Sequence, residues 1–294
     1  MKRFILAIIL TLAFCASDCF ALNLRPYMQT PPEVQTFAKR VIEDGGKVVD
    51  LEYAQKLTRL VKQLDIWGNG KFLGDGNLGV KLNSGVSVQT LYDLSGNNND
   101  ATSGVTVNNQ PVWTKNVQGG RAGLVFDGAN TQRMDVSNES MFDFTDTFSI
   151  VVIYRSQKTV PIPYPTLLSK GLYQVSGWYL ECGYSLGGNL EASTGSVHKT
   201  LVSEHTDSTF ALSSFISNSG SANAYLNGAF KNSLESFTSL PNDLVLQIGY
   251  YSGGTSTNDF NGIVGSILLL DTALTTAQRT ALETFIGHSY YAIY

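Results

Sequence analysis

Residues 91–101 read Leu91-Tyr92-Asp93-Leu94-Ser95-Gly96-Asn97-Asn98-Asn99-Asp100-Ala101. The first half is apolar or aromatic, and the second half is a dense turn signal. Gly and Asn accept positive φ, and Asp and Ser side chains bond nearby backbone N–H groups. Two readings follow, a corner between strands or an oxygen-rich cation loop. The chain on either side differs sharply. Upstream the apolar residues recur at helical spacing, and downstream short alternating runs separated by turns continue almost to the end. The stretch therefore opens an all-β domain.

Upstream, Lys2 and Arg3 precede an apolar run over residues 4–14, and Cys19-Phe20-Ala21 offers a cleavage site. We read residues 1–21 as a secretory signal, with the run too short to span a bilayer comfortably. An uncleaved anchor is the alternative. Export places the protein outside the cytoplasm, secreted or at a cell surface, and leaves no membrane contact after cleavage. Cys182 is then the lone thiol, in a strand-like run where a small buried hydrophobe is expected. Charged residues make up 15% of the 294, the formal net charge is -4 and no basic run occurs, so no nucleic-acid footprint is visible.

Residues 22–67 read as an αα-hairpin. Thr30-Pro31-Pro32-Glu33 reads as a capping box, and Val34, Phe37, Ala38, Val41 and Ile42 form one stripe. Asp50 caps a second helix striped by Leu51, Ala54, Leu57, Leu60, Val61 and Leu64. The hairpin is too small to stand alone, so it docks on the β domain or drives homo-oligomerisation. Residues 68–79, rich in Gly and Asn, read as a linker.

From residue 80 the period is two. Residues 148–155 carry Ile150, Val152 and Tyr154 on one face and Val151 and Ile153 on the other, as expected of a central strand covered on both sides. Strands are predicted around Val105, Val107 and Val112, at 123–128, 166–170, 177–183, 188–193, 210–217, 222–226, 244–250 and 262–271. Asn227-Gly228 is a hairpin turn. Thr275 to Gln278 reads as a second capping box, opening a C-terminal helix. Short strands without interleaved helices predict a two-sheet antiparallel sandwich wound as a jelly roll.

With residues 91–101, 123–128, 148–155, 167–171, 224–228, 248–249 and 259–262 in this order, the domain resembles the laminin G-like, concanavalin A-like lectin/glucanase superfamily. The hairpin segment resembles a short helical module of phage and bacterial surface or tail-type proteins. The resemblance implies sugar-binding modules, adhesion modules or glycoside hydrolases.

Hydrolysis needs two carboxylates about 5–5.5 Å apart for retention, and in this superfamily they alternate along one strand. No such triplet occurs, and Glu181 and Glu191 stand on separate strands. Gly183-Tyr184-Ser185-Leu186-Gly187 matches an esterase elbow, but a strand-like run follows it where a helix is required. His198, His205 and His288 lack ligand spacing.

The expectation is a non-catalytic binding module for a glycan or cell-surface ligand. The alternatives are a structural or virion-type protein assembling through its helices, and a divergent glycoside hydrolase. Tyr250, Tyr251, Tyr173 and Trp178 are the candidate stacking residues. No cofactor is expected. Calcium is the one ion considered, with Asp93, Asp100 and Asp259 as candidate oxygen ligands.

Overall fold

The computed structural model describes residues 29–104, 106–128, 130–137, 139–157, 165–183, 187–194, 197–203, 208–251 and 259–294. The proposed signal at 1–21, Val105, Tyr184 to Leu186 and His205 lie outside these, as does the His198 side chain. Helices α1 (Pro32–Glu43) and α2 (Leu51–Gln63) flank the short strand β1 (Lys47–Val48). Then come β2 (Gly70–Asp75), β3 (Gly79–Leu82), β4 (Val88–Leu91), β5 (Ala101–Thr102), β6 (Val112–Gln118), β7 (Arg121–Asp127), β8 (Met134–Val136) and β9 (Phe148–Ser156). The second half adds β10 (Thr166–Leu172), β11 (Ser176–Gly183), β12 (Gly187–Thr194), β13 (Val197–Val202), β14 (Ala211–Asn218), β15 (Ser221–Leu226) and β16 (Ala229–Leu234). The chain closes with β17 (Leu246–Ile248), β18 (Asn261–Leu270), α3 (Thr276–Glu283) and a π-helical segment, Thr284–Tyr290.

Among the described residues these strands form two antiparallel sheets. A ten-stranded sheet runs β1-β3-β4-β5-β8-β17-β10-β11-β12-β13. An eight-stranded sheet runs β16-β15-β14-β9-β18-β7-β6, with β2 also paired to β18. The architecture is the all-β jelly-roll sandwich expected, with helices at both ends of the chain.

Strand β9 explains the layering. Phe148, Ile150, Val152 and Tyr154 enter the core between the sheets. Val151 and Ile153 enter a second core, between the eight-stranded sheet and the helices. The eight-stranded sheet is thus covered on both faces. The ten-stranded sheet has one face on the core, and its other face faces away.

Most of each helical stripe is covered within the same chain, while Ile42 and Leu51, at the end of α1 and the start of α2, stay exposed. Val34, Val41, Ala54 and Val61 are fully buried, and Phe37 and Leu57 nearly so, in that second core. Each fully buried Val, Leu or Phe contributes about 1.5–3 kcal/mol relative to exposure. The homo-oligomer reading thereby loses the uncovered apolar stripe that motivated it. A chain shortened by residues 29–67 is expected to expose the underlying sheet, bind a hydrophobic dye and aggregate on size exclusion with light scattering. A dye-silent monomer of unchanged melting temperature would contradict this docking.

Residues 68–79 are no linker. Phe72 and Leu73 are fully buried, and β2 pairs with β18 from Ser266↔Asp75 to Leu270↔Gly70. The opening loop holds this strand in place. The fully buried Asp93 carboxylate accepts N–H bonds from Leu73 (2.9 Å), Ser95 (2.9 Å) and Asn99 (3.1 Å), and an O–H bond from Ser95 (2.6 Å). Asn97 and Asn99 donate to the carbonyls of Gly70 (2.6 Å) and Lys71 (2.7 Å). Asp100 accepts from the Asp93 backbone N–H and pairs with Arg40 of α1. Gly96 and Asn98 supply the positive φ angles, 91° and 58°.

Local signals divide. Asp50 caps α2 by accepting from Tyr53 N, and Thr275 and Gln278 form the capping box of α3. The Thr30 cap is not formed. Helix α1 starts one residue later, with Pro31 at its N-cap, Thr30 accepts from Gln55, and Glu33 pairs with Lys62. Val107 lies in a 3₁₀ turn, Val107–Asn109, instead of a strand.

Candidate functional site

The outward face of the ten-stranded sheet carries the polar and aromatic residues. Along β11, Trp178, Leu180 and Cys182 point into the core between the sheets. The alternation places Tyr179 and Glu181 on the other face. Pairing extends this face across strands. Tyr179 lies opposite Glu191 on β12 and Ser169 on β10. Ser169 lies opposite Gln247 on β17, and Gln247 opposite Asp135 on β8. Glu181 lies opposite Thr166, which bridges to Asp259.

This row is buried although it faces away from the core. Tyr179 is 1% exposed, Glu181 6%, Gln247 7% and Glu191 8%. Burial, and secondly the charge of Glu191, push the Glu181 carboxyl up to about 8. No donor or cation of the described residues reaches Glu181. The Tyr251 ring meets Tyr179 edge-on at 5.7 Å, and its hydroxyl accepts the Tyr173 backbone N–H at 2.6 Å. Tyr173, 52% exposed, stands at the rim.

The candidate stacking residues therefore separate. Tyr173 and Tyr251 are brought together beside Tyr179. Tyr250 is 9% exposed, under the Arg133 guanidinium at 5.2 Å from its ring centre. Trp178 is fully buried, stacks on Phe144 and donates its ring N–H to the Phe142 carbonyl, so it is out of reach of a sugar. It follows from β11 alternation, since Trp178 falls on the core-facing parity.

The candidate ion ligands separate too. Asp93 and Asp100 serve the opening loop, where backbone N–H groups, Ser95 and Arg40 occupy their oxygens. Asp259 is 1% exposed beside β10, and burial pushes its carboxyl up to about 6. No group of three or more acidic, His or Cys side chains among the described residues is placed to hold a metal. Cys182 is a buried thiol outside any disulfide, on the core face, as read from the sequence. The His288 ring bonds the Tyr294 carbonyl.

Sequence reasoning set Glu181 and Glu191 aside as solitary. The signal that joins them was present in the turn between their strands. Gly183 pairs with Gly187, and an antiparallel register counted back from there puts Tyr179 opposite Glu191. Tyr184 to Leu186 lie outside the described residues, but strand β12 begins at Gly187, where an esterase elbow requires a helix.

Glu181 has a measurable consequence for stability. Its folded pKa is raised, so the folded state keeps a proton that the unfolded chain loses near the ordinary carboxyl value. Its contribution is fully present below about pH 4.5 and is lost as pH rises toward 8. The Glu181→Gln variant is expected to lose this slope and melt at least about 2–4 °C higher at pH 8.5. Parallel melting curves for both proteins from pH 5 to 8.5 would contradict the assignment.

No family model and no curated protein matches the chain. Solved structures do match. The binding domain of Paraclostridial Mosquitocidal Protein 1 matches with a TM-score of 0.56 and 14% identity, over 74% of this chain and 52% of that one. The Botulinum neurotoxin serotype D ligand binding domain, in complex with N-acetylneuraminic acid, matches with a TM-score of 0.55 and 15% identity, over 76% and 52%. The Botulinum neurotoxin type G receptor binding domain gives 0.53 and 14%, over 74% and 51%. The chain shares the fold of these binding domains. The chain spans about half the length of these domains. No helix of the described residues is long and apolar enough to cross a membrane.

Proposed function

We propose that this protein is an exported, non-catalytic recognition module that binds a glycan or cell-surface ligand on the outward face of its ten-stranded sheet. The observation that carries the reading is the buried Glu181 carboxyl, reached by no donor of the described residues, and the buried Gln247 Oε1 without a donor, set beside the rings of Tyr179 and Tyr251. Burying polar groups without partners is unfavourable, so a face that does so is built for a ligand that supplies them. The signal-like leader and the shared fold of the toxin binding domains support a secreted or cell-surface setting.

A glycan array probed with the folded protein tests this. Binding that is lost in Tyr251→Ala is the expected result, and a blank array with a correctly folded protein would overturn it. The hydrolase reading gains one observation, two glutamates on a shared face. Tyr179 stands directly opposite Glu191, with its phenol close enough to hydrogen-bond that carboxylate. Incubating the array ligand with the protein is expected to release no new reducing ends. Assembly as a virion-type structural protein loses support, because most of the helical stripes, from Val34 to Val61, is already covered.

A further inference from the structure

We propose that this face takes a glycan bearing free amino groups, with Glu181 as the counter-charge for one ammonium. The proposal rests on the reading of the face as a binding surface and specifies its ligand class.

Among the described residues, the groups on this face that lack a donor are acceptors. Glu181 is 6% exposed and reached by no donor of the described residues. Gln247 donates its Nε2 to Asp135 at 3.0 Å, which leaves its buried Oε1 without a donor. A face of unfilled acceptors selects a ligand made of donors, and a carboxylate shielded from water selects one that is positively charged. Acidic sugars are disfavoured by the same groups.

The neighbouring cations are already engaged. Lys170, fully buried, donates to Asp143 at 2.9 Å and to the Asn242 carbonyl at 2.8 Å. Arg133 pairs with Asp135 at 3.5 Å and lies over Tyr250. A single metal ion is a poor match, because no three ligating side chains of the described residues converge. Acceptors spread over neighbouring strands, about 4.8 Å apart, fit amino groups spread along a chain of sugar rings. Tyr173 at the rim offers an exposed ring face that attracts both the apolar face of a sugar and its ammonium.

Charge linkage follows. The groups facing Glu181 are Tyr179 on its own strand, Glu191 on β12 and Tyr251 after β17. An ammonium seated among them favours the ionised carboxylate, so binding releases a proton and strengthens as pH rises, up to the point where the ligand amine itself deprotonates.

The test is calorimetry of the whole folded protein with glucosamine oligosaccharides and their N-acetylated counterparts of equal length. The free-amine series is expected to bind about tenfold tighter or more, with proton release detected as a dependence of the heat on buffer ionisation. Glu181→Gln is expected to remove the difference between the two series. Tyr251→Ala is expected to weaken both series.

Equal or tighter binding of the acetylated series overturns the amine assignment and leaves the binding-module reading standing. So does a preference that survives in a folded Glu181→Gln. Equal competition by a lysine-rich peptide moves the site to protein partners and overturns the glycan class. Failure of both series together with a blank glycan array removes this inference and the proposed function alike.

Discussion

Asp93→Ala is expected to destabilise the protein by about 3–5 kcal/mol, the largest single loss in the opening loop. The carboxylate accepts from three backbone N–H groups and one hydroxyl, and alanine leaves all four without an acceptor in a fully buried place. Small domains have only about 5–15 kcal/mol of stability in total, so this one residue holds a large share of it. The damage should be local first. Freed of Asp93, the loop loses its hold on the Leu73 N–H, and β2 loses its link to the loop. Asp93→Asn keeps the shape but presents an amide N–H to donors, and is expected to lose about 1–3 kcal/mol. Urea denaturation of the two variants measures both. A loss below about 1 kcal/mol for Asp93→Ala would mean that the Asn97 and Asn99 bonds hold the loop by themselves.

Trp178→Ala is expected to lose about 3–5 kcal/mol and to leave ligand affinity of the folded fraction unchanged. The side chain is fully buried, stacks on Phe144 at 5.7 Å and donates to the Phe142 carbonyl at 2.9 Å. Removing it leaves a cavity between the sheets and an unpaired carbonyl. Tyr251→Ala is the opposite case, since its ring borders Tyr179 on the outward face. It should weaken binding with a smaller change in stability. Melting curves and an affinity measurement on the two variants separate a core aromatic from a site aromatic. A Trp178→Ala protein that binds more weakly in its folded state than wild type would return Trp178 to the site.

The contrast between those two residues shows what the sequence discloses. The double-faced apolar pattern of β9 announced a sheet covered on both sides, and two cores meet it there. Asn227-Gly228 announced a hairpin, and both residues take positive φ, 50° and 82°. Composition misled at residues 68–79. Glycines there were read as flexibility, whereas they permit close packing. A Cβ on Gly74 would lie 2.4 Å from the Phe72 ring, and one on Gly79 would lie 2.8 Å from Phe37. A pattern of small residues does not reveal whether it faces solvent or a neighbour.

The site was half legible for a related reason. Aromatic residues at strand ends could be picked out singly, and Tyr173 and Tyr251 do stand together. Which glutamate faces which tyrosine depends on strand register, a long-range property that only a correctly centred turn reveals. The Ser169–Gln247–Asp135 continuation crosses strands far apart in sequence, and no local period marks it.

The most direct measurement is hydrogen exchange with and without a ligand identified on the glycan array. Protection confined to β10, β11, β12 and β17 is the predicted result. Protection centred on α1 and the 91–101 loop, with those four strands unchanged, would contradict the placement of the site.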